Sequence, residues 1–457
     1  MTSSSDDFDA LRARLHRAIP GGAHTYSRGD DQFPAIAPPL FVRGKGAHAW
    51  DTAGNRFLDY GMALRAVTLG YADPRINAAA AAEMEKGVNL TRATLTELEA
   101  AEALIDLIPS VEMVKFAKNG SNVTTAAVKI ARAYTGKRYV CVPRQQPFFS
   151  FDDWFIGTTA LKRGIPTDQV SATLVFDYND IASLKALFDA HPGEIAAVML
   201  EPATTATPCP PSSQAPANWP GQPGCPGETN FLQEVQSLCR AQGALFILDE
   251  MITGFRWHLQ GAQTFFGVQP DLTTFGKGMA NGFSVAAVGG RREVMAVGSI
   301  DRPGMERTFL LSTTHGAEMP GLGAFIETVN IYRSEKVVDH LWAYGKKLRD
   351  GMTEISNRHG LAQHFQMDGP AISLNYLTRD RSGNLSLALR TLFAQELLKR
   401  GVMMPWIAIS QAHGEAELQQ TLEAVDGALG VFVQALDAGT DGLLQGQAIR
   451  PVFRTHN

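Results

Sequence analysis

The chain predicts an α/β fold with a mostly parallel central sheet, helices on both faces, and a smaller α+β domain. Three observations carry that reading. From residue 113 to 248 short apolar strands alternate with amphipathic helices, the mark of parallel βαβ units. The runs Ala196–Leu200 and Ala244–Leu248 are apolar without interruption, as strands buried on both faces are. After about residue 320 the alternation gives way to long helices.

In chain order, Phe8, Leu11 and Leu15 have helical spacing over residues 7–18, and Pro20-Gly21-Gly22 supplies the stop. Residues 40–60 read as a β-meander, with Asp51-Thr52-Ala53-Gly54-Asn55 as turn chemistry. Helices are expected at 75–86 and 95–108. Then come strand Met113–Ala117, helix Ser121–Tyr134, strand Tyr139–Val142, helix 180–190, strand Ala196–Leu200, helix 228–242 and strand Ala244–Leu248. Prolines 208, 210, 211, 216, 220, 223 and 226 make 203–227 a long loop, because no helix or internal strand holds such a density. Long helices at 322–357, 386–400 and 414–437, with short strands around 371–376, form the second domain. The expected division is an N-terminal segment 1–60 that packs with the small domain, a large domain 61–320 and a small domain 321–457.

The 457 residues carry a net charge of −5, so bulk electrostatics give no reason to expect nucleic-acid binding. No apolar stretch approaches the ~18 residues of a membrane span, and the N-terminus lacks a secretory pattern. Cys141, Cys209, Cys225 and Cys239 have no paired spacing and read as reduced thiols, which fits a cytoplasmic protein.

Three local patterns point to chemistry. Leu245-Phe246-Ile247-Leu248-Asp249-Glu250 ends a buried strand in two carboxylates, at the end where parallel sheets bind ligands. By itself this also fits a surface acid or helix cap. Thr274-Phe275-Gly276-Lys277-Gly278-Met279 sets one lysine between glycines in an apolar stretch. Such surroundings lower an amine's pKa and make it a Schiff-base nucleophile; a loop lysine looks the same. No Walker pattern precedes it. Lys118-Asn119-Gly120-Ser121-Asn122 lies at a strand-to-helix junction. There Gly120 permits a tight turn, Ser121 can cap the helix, and N–H groups can hold an anion. Together they supply an anion cradle, an acid at a strand end and an accessible lysine, the set that pyridoxal 5′-phosphate needs.

With these residues in view, the chain resembles the class III aminotransferases of fold type I, nearest the glutamate-1-semialdehyde aminomutase branch. The likeness runs from Ile19-Pro20-Gly21-Gly22 to the C-terminal helices. Leu248–Arg256 resembles that family's D-E-V-x-T-G-F-R block, and the 28-residue spacing from Asp249 to Lys277 matches the family's. The resemblance implies that Lys277 bonds the cofactor aldehyde and moves the substrate proton, and that Asp249 pairs with the pyridinium nitrogen. It implies that Gly120 and Ser121 hold the phosphate, with Asn122 in place of the usual Glu. Phe148 falls where the family stacks a Tyr on the ring, and Phe149 replaces the His. Glu201-Pro202 matches the family's Glu-Pro, and Met251 replaces a ring-packing valine. Thr314 matches the threonine that reaches the partner subunit's phosphate site, so a homodimer is implied.

Substrate positions depart from the branch. Arg28 falls on the arginine that binds the substrate carboxylate, but in an unusual setting. Arg65, in Leu64-Arg65-Ala66-Val67, stands where aminomutases keep Trp-Gly, and Met404–Ser410 replaces the branch's C-terminal pattern. The expectation is therefore an aminotransferase passing an amino group from an amino-acid donor such as glutamate to a keto sugar, cyclitol or other polar keto compound. The alternatives are a 2,1-aminomutase and a non-catalytic relative; intact Lys277 and Asp249 argue against the last.

Overall fold

The computed structural model describes residues 5–146, 148–211 and 228–456. The chain divides into two compact units, 1–73 with 339–457, and 74–338.

The first unit opens with the helix Ser5–Ala18 and a meander of β1 (Phe41–Lys45), β2 (His48–Asp51) and β3 (Arg56–Asp59), antiparallel throughout. The turn between β2 and β3 closes on Asp51. Its Oδ1 accepts from the N–H groups of Ala53 (2.9 Å) and Asn55 (2.8 Å), and Gly54 takes φ 85°.

The second unit holds a seven-stranded sheet: β4 (Met113–Ala117), β5 (Tyr139–Pro143), β6 (Thr173–Phe176), β7 (Ile195–Leu200), β8 (Leu245–Asp249), β9 (Leu272–Phe275) and β10 (Ala286–Gly290). The order is β4-β10-β9-β8-β7-β5-β6. All pairs are parallel except those of β10, which runs antiparallel to both neighbours. Side chains of β7 and β8 alternate between two cores. Met199, Leu245 and Ile247 pack with Val123, Ala127, Ile130 and Ala131 of the helix Gly120–Thr135. Val198, Leu200, Phe246 and Leu248 pack with Leu184, Phe188, Leu232 and Val235 on the other face. The helix Phe231–Gln242 starts three residues later than its apolar pattern suggests, because Asn230 and Gln233 form a capping box.

The chain then returns to the first unit with β11 (Phe365–Asp368), β12 (Asn375–Thr378) and β13 (Val402–Met403). The last adds to β3 in parallel. The helix expected at 322–357 is two, Met319–Glu335 and Val337–Arg358, broken where Lys336 turns left-handed at φ 51°. The strand expected at 371–376 lies two to four residues later, in β12.

Of the 203–227 stretch, residues 212–227, Cys225 among them, lie outside the described residues. The rest is pinned: Asn179 accepts from the Cys209 N–H (2.9 Å), and Phe231 N–H donates to the Cys209 carbonyl (3.1 Å). Cys141 and Cys239 are free and buried, whereas Cys209 is disulfide-bonded, which corrects the expectation of four reduced thiols. Among the described residues no helix is long and apolar enough to cross a membrane.

Candidate active site

The carboxyl ends of β8 and β9 bring Asp249 and Lys277 together. Asp249 is the last residue of β8 and is buried. Its register partner on β9 is Thr274, whose hydroxyl donates to Asp249 Oδ1 at 2.9 Å. The Met251 N–H donates to the same oxygen at 3.0 Å, so Oδ2 takes neither bond. Burial pushes the carboxyl up to about 6. The Lys277 charge and the two hydrogen bonds oppose that rise. Thr274 lies in the quoted lysine motif, but nothing in the sequence marks it as the partner of Asp249; only strand register does.

Lys277 opens a short 3₁₀ turn, Lys277–Ala280, directly after β9. Its φ is 40°, in the left-handed region that non-glycine residues avoid. Residues 278–280 are buried, while Lys277 is half-buried.

Met251 fills the space between the lysine turn and the 120–135 helix. A Cβ on Gly276 would meet Met251 Sδ at 2.6 Å, and one on Gly120 would meet it at 3.1 Å. Gly120 is already helical and does not make a tight turn, so its lack of a side chain serves close approach. The helix N-cap is Asn119, whose side chain accepts from Asn122 N–H at 3.1 Å; Ser121 does not cap. Ser121 Oγ instead accepts from the Phe151 N–H at 3.0 Å. Thr124 Oγ1 donates to the Phe149 carbonyl at 2.8 Å. These bonds hold the 148–151 segment over the helix start. Phe148 is half-exposed there, edge-on to Phe155 at 6.0 Å, and Phe149 is buried.

At the end of β7, Glu201 is clamped by a residue the sequence did not single out. Gln146 Nε2 donates to its carbonyl and Gln146 Oε1 accepts from its N–H, both at 2.7 Å. Glu250 does not face the site. It accepts from Ala262 N–H (2.6 Å), Gln263 N–H (3.0 Å) and the Thr253 hydroxyl (3.1 Å), satisfying donors behind the sheet end. The adjacent carboxylates of Asp249-Glu250 are thus split between two tasks by strand alternation.

Thr314 is exposed in a stretch whose Glu318 pairs with Lys118, and its carbonyl accepts from Asn89 Nδ2 at 2.6 Å. Arg28 and Arg65 belong to the other unit. Arg28 is exposed; its neighbours Asp30 and Asp31 pair with His16 and Arg454 instead. Arg65 ends a run of four left-handed residues: Met62, Ala63, Leu64 and Arg65 have φ of 40°, 49°, 62° and 68°. Each costs an L-residue about 1–2 kcal/mol. A cavity of about 750 Å³ in the 74–338 unit lies elsewhere. It opens at the opposite ends of the strands, among Glu112, Arg240, Asp271, Arg291 and Arg302.

The donor set at the sheet's carboxyl end fits a phosphorylated pyridine aldehyde on structural grounds. Helix N–H groups could receive the phosphate, the buried Asp249, whose bonds from Thr274 and Met251 both fall on Oδ1, could take a ring N–H on Oδ2, and the Lys277 amine could bond the aldehyde. The two glycines keep the floor under Met251 clear.

A family model described as aminotransferase class-III matches residues 26–409. The glutamate-1-semialdehyde 2,1-aminomutase of Alkaliphilus oremlandii is 31% identical over 435 residues, covering 92% of this chain and 97% of its own. The enzyme of that name from Acetivibrio thermocellus is 31% identical, covering 91% and 96%. The PLP internal aldimine form of the FumI protein of Sphingopyxis sp. MTA144 superposes with TM-score 0.81 at 27% identity, over 95% of this chain and 98% of that one. An omega-transaminase from Sphaerobacter thermophilus gives 0.78 at 27%, over 93% and 97%.

Proposed function

The chain belongs to the class-III aminotransferases, pyridoxal 5′-phosphate enzymes acting on small molecules, and from that premise we propose that it moves an amino group from an amino-acid donor, glutamate first among them, to a polar carbonyl acceptor such as a keto sugar or cyclitol. Bound cofactor supplies the electron sink for the charge left when a proton leaves the carbon beside nitrogen. Lys277 Nζ binds the cofactor aldehyde and carries that proton off the substrate carbon and back. Asp249 Oδ2 holds the ring-nitrogen proton. The Gly120 and Ser121 N–H groups would receive the phosphate, Phe148 and Met251 would pack against the ring, and Glu201 would border the site.

The observation that carries the reading is the buried Asp249 beside Lys277 at the carboxyl ends of β8 and β9, and we assign substrate contact to Arg65, which ends its left-handed turn. A cation there, with Arg28, suits a substrate bearing a carboxylate or several hydroxyls, since a guanidinium offers a rigid fork of donors. The deciding measurement is the half-reaction with glutamate: a transaminase releases one equivalent of the corresponding 2-keto acid per site. An aminomutase is the second reading, favoured by the two relatives named so. It keeps the amino group within one molecule and releases no keto acid.

Thr314 completes the partner's phosphate site in a homodimer. In support, the 74–338 unit carries exposed apolar residues, two of them beside Asn89. Val88 and Leu90 flank Asn89, whose side chain holds the Thr314 carbonyl, and Leu95, Leu98 and Phe309 are exposed in the same unit.

A further inference from the structure

The turn that ends at Arg65 is held in its left-handed form by a buried lock. Asp59, the last residue of β3, is buried; its Oδ1 accepts from the Gly61 N–H and its Oδ2 from the Tyr71 hydroxyl, both at 2.6 Å. The Tyr71 oxygen in turn accepts from the Ala63 N–H at 2.9 Å, inside the turn. Trp406 Nε1 donates to the Gly61 carbonyl at 3.0 Å, and the Met62 side chain is fully buried. Two glycines make room for both halves of the lock. A Cβ on Gly61 would meet Asp59 Oδ1 at 2.8 Å, and one on Gly44 would meet the Tyr71 ring at 2.7 Å. None of the four left-handed residues is glycine or asparagine, so nothing local favours this backbone. Strain of this kind persists only where surrounding structure over-determines it, and it concentrates at functional sites. The Arg28 charge also reaches Tyr71, opposing the rise that burial and Asp59 impose on its hydroxyl.

We propose that Asp59 and Tyr71 are positioning residues: they hold residues 62–65 left-handed so that the Arg65 guanidinium is fixed before substrate arrives. Fixing a recognition group in advance lowers the ordering cost of binding. This inference rests on the substrate role proposed above for Arg65.

The test uses the holoenzyme and the proteinogenic amino acid that turns the cofactor over fastest. Tyr71→Phe removes one hydroxyl and both its bonds. Its saturation constant for that amino acid should rise about ten- to a hundredfold with little change in the limiting rate, the pattern of lost uniform binding. Cofactor absorbance should be unchanged. The double variant Tyr71→Phe/Arg65→Ala should bind substrate no worse than Arg65→Ala alone, because the hydroxyl acts only through that side chain. Ala63→Gly, which relieves strain at φ 49°, should keep or raise Tm while raising the saturation constant. Amide exchange across residues 60–67 should quicken in Tyr71→Phe whatever the substrate. Additive losses in the double variant, or a wild-type saturation constant or wild-type exchange in Tyr71→Phe, would overturn the positioning role alone. A wild-type Arg65→Ala would overturn it together with the substrate role of Arg65.

Discussion

In the proposed function Asp249 and Lys277 are the side chains on which the chemistry turns. Lys277→Ala should abolish turnover while the phosphate contacts still retain cofactor; a dialysed variant that keeps stoichiometric cofactor but shows no half-reaction meets this expectation. The raised carboxyl of Asp249 gives a pH test. Its folded pKa, about 6, stands above its ordinary value. The native apoprotein therefore holds a proton there that the unfolded chain has released. That contribution to stability is present below about pH 4 and is lost as pH rises through 6. The Tm of apo Asp249→Asn should thus gain on wild type between pH 4 and 6. In the holoprotein a protonated ring nitrogen requires ionised Asp249, so cofactor affinity should fall as pH drops through about 6, and the Asn variant should lack that inflection. Both residues were legible because each closes an apolar run. The lock of Asp59 and Tyr71 was not: its partners are 12 residues apart, and neither stands in a recognisable pattern.

Strands β4, β7 and β8 were legible from their apolar content, whereas β9 and β10 were not. The reason is visible at Gly289 and Gly290: a Cβ on Gly289 would meet Val111 at 2.8 Å, and one on Gly290 the Asp271 carbonyl at 2.3 Å. Close packing demands glycines that lower strand propensity, so the antiparallel strand is disguised by its own surroundings. The same logic governs the loop after β9. Gly276→Ala must push Met251 aside, which should weaken cofactor binding tenfold or more without unfolding the sheet. Adding Met251→Ala should restore part of the affinity, as a titration followed by cofactor fluorescence would show. Full affinity in Gly276→Ala alone would mean that Met251 is free to move.

The first unit is assembled from the two ends of the chain, 1–73 and 339–457, around an inserted 74–338. The sequence reading joins the N-terminal segment to the small domain but not through a strand, because nothing in the four-residue β3 announces a partner at 402–403. Assembly beyond one chain is open to a direct measurement. If Thr314 completes the partner's phosphate site as proposed, Thr314→Val should leave the oligomeric state by light scattering unchanged but speed cofactor loss. Leu95→Asp/Leu98→Asp, which charges the exposed apolar surface, should yield monomers that bind cofactor poorly. A cofactor-loaded active monomer would sink the shared-site reading.

The pairing of Val402 with Leu58 sets a timetable for the nascent chain. Some 344 residues separate the two. At about 5–20 residues per second, β3 waits roughly 17–70 s on the ribosome for its neighbour. Throughout that wait the meander is an open-edged sheet, able to recruit any strand that passes. The inserted unit carries its own sheet and needs nothing from residue 402 onward to complete it. Ribosome-bound chains stalled at residue 380 should therefore protect the 113–290 strands from protease while 41–59 remains cleavable, and holdase chaperones should be found on the short N-terminal stretch.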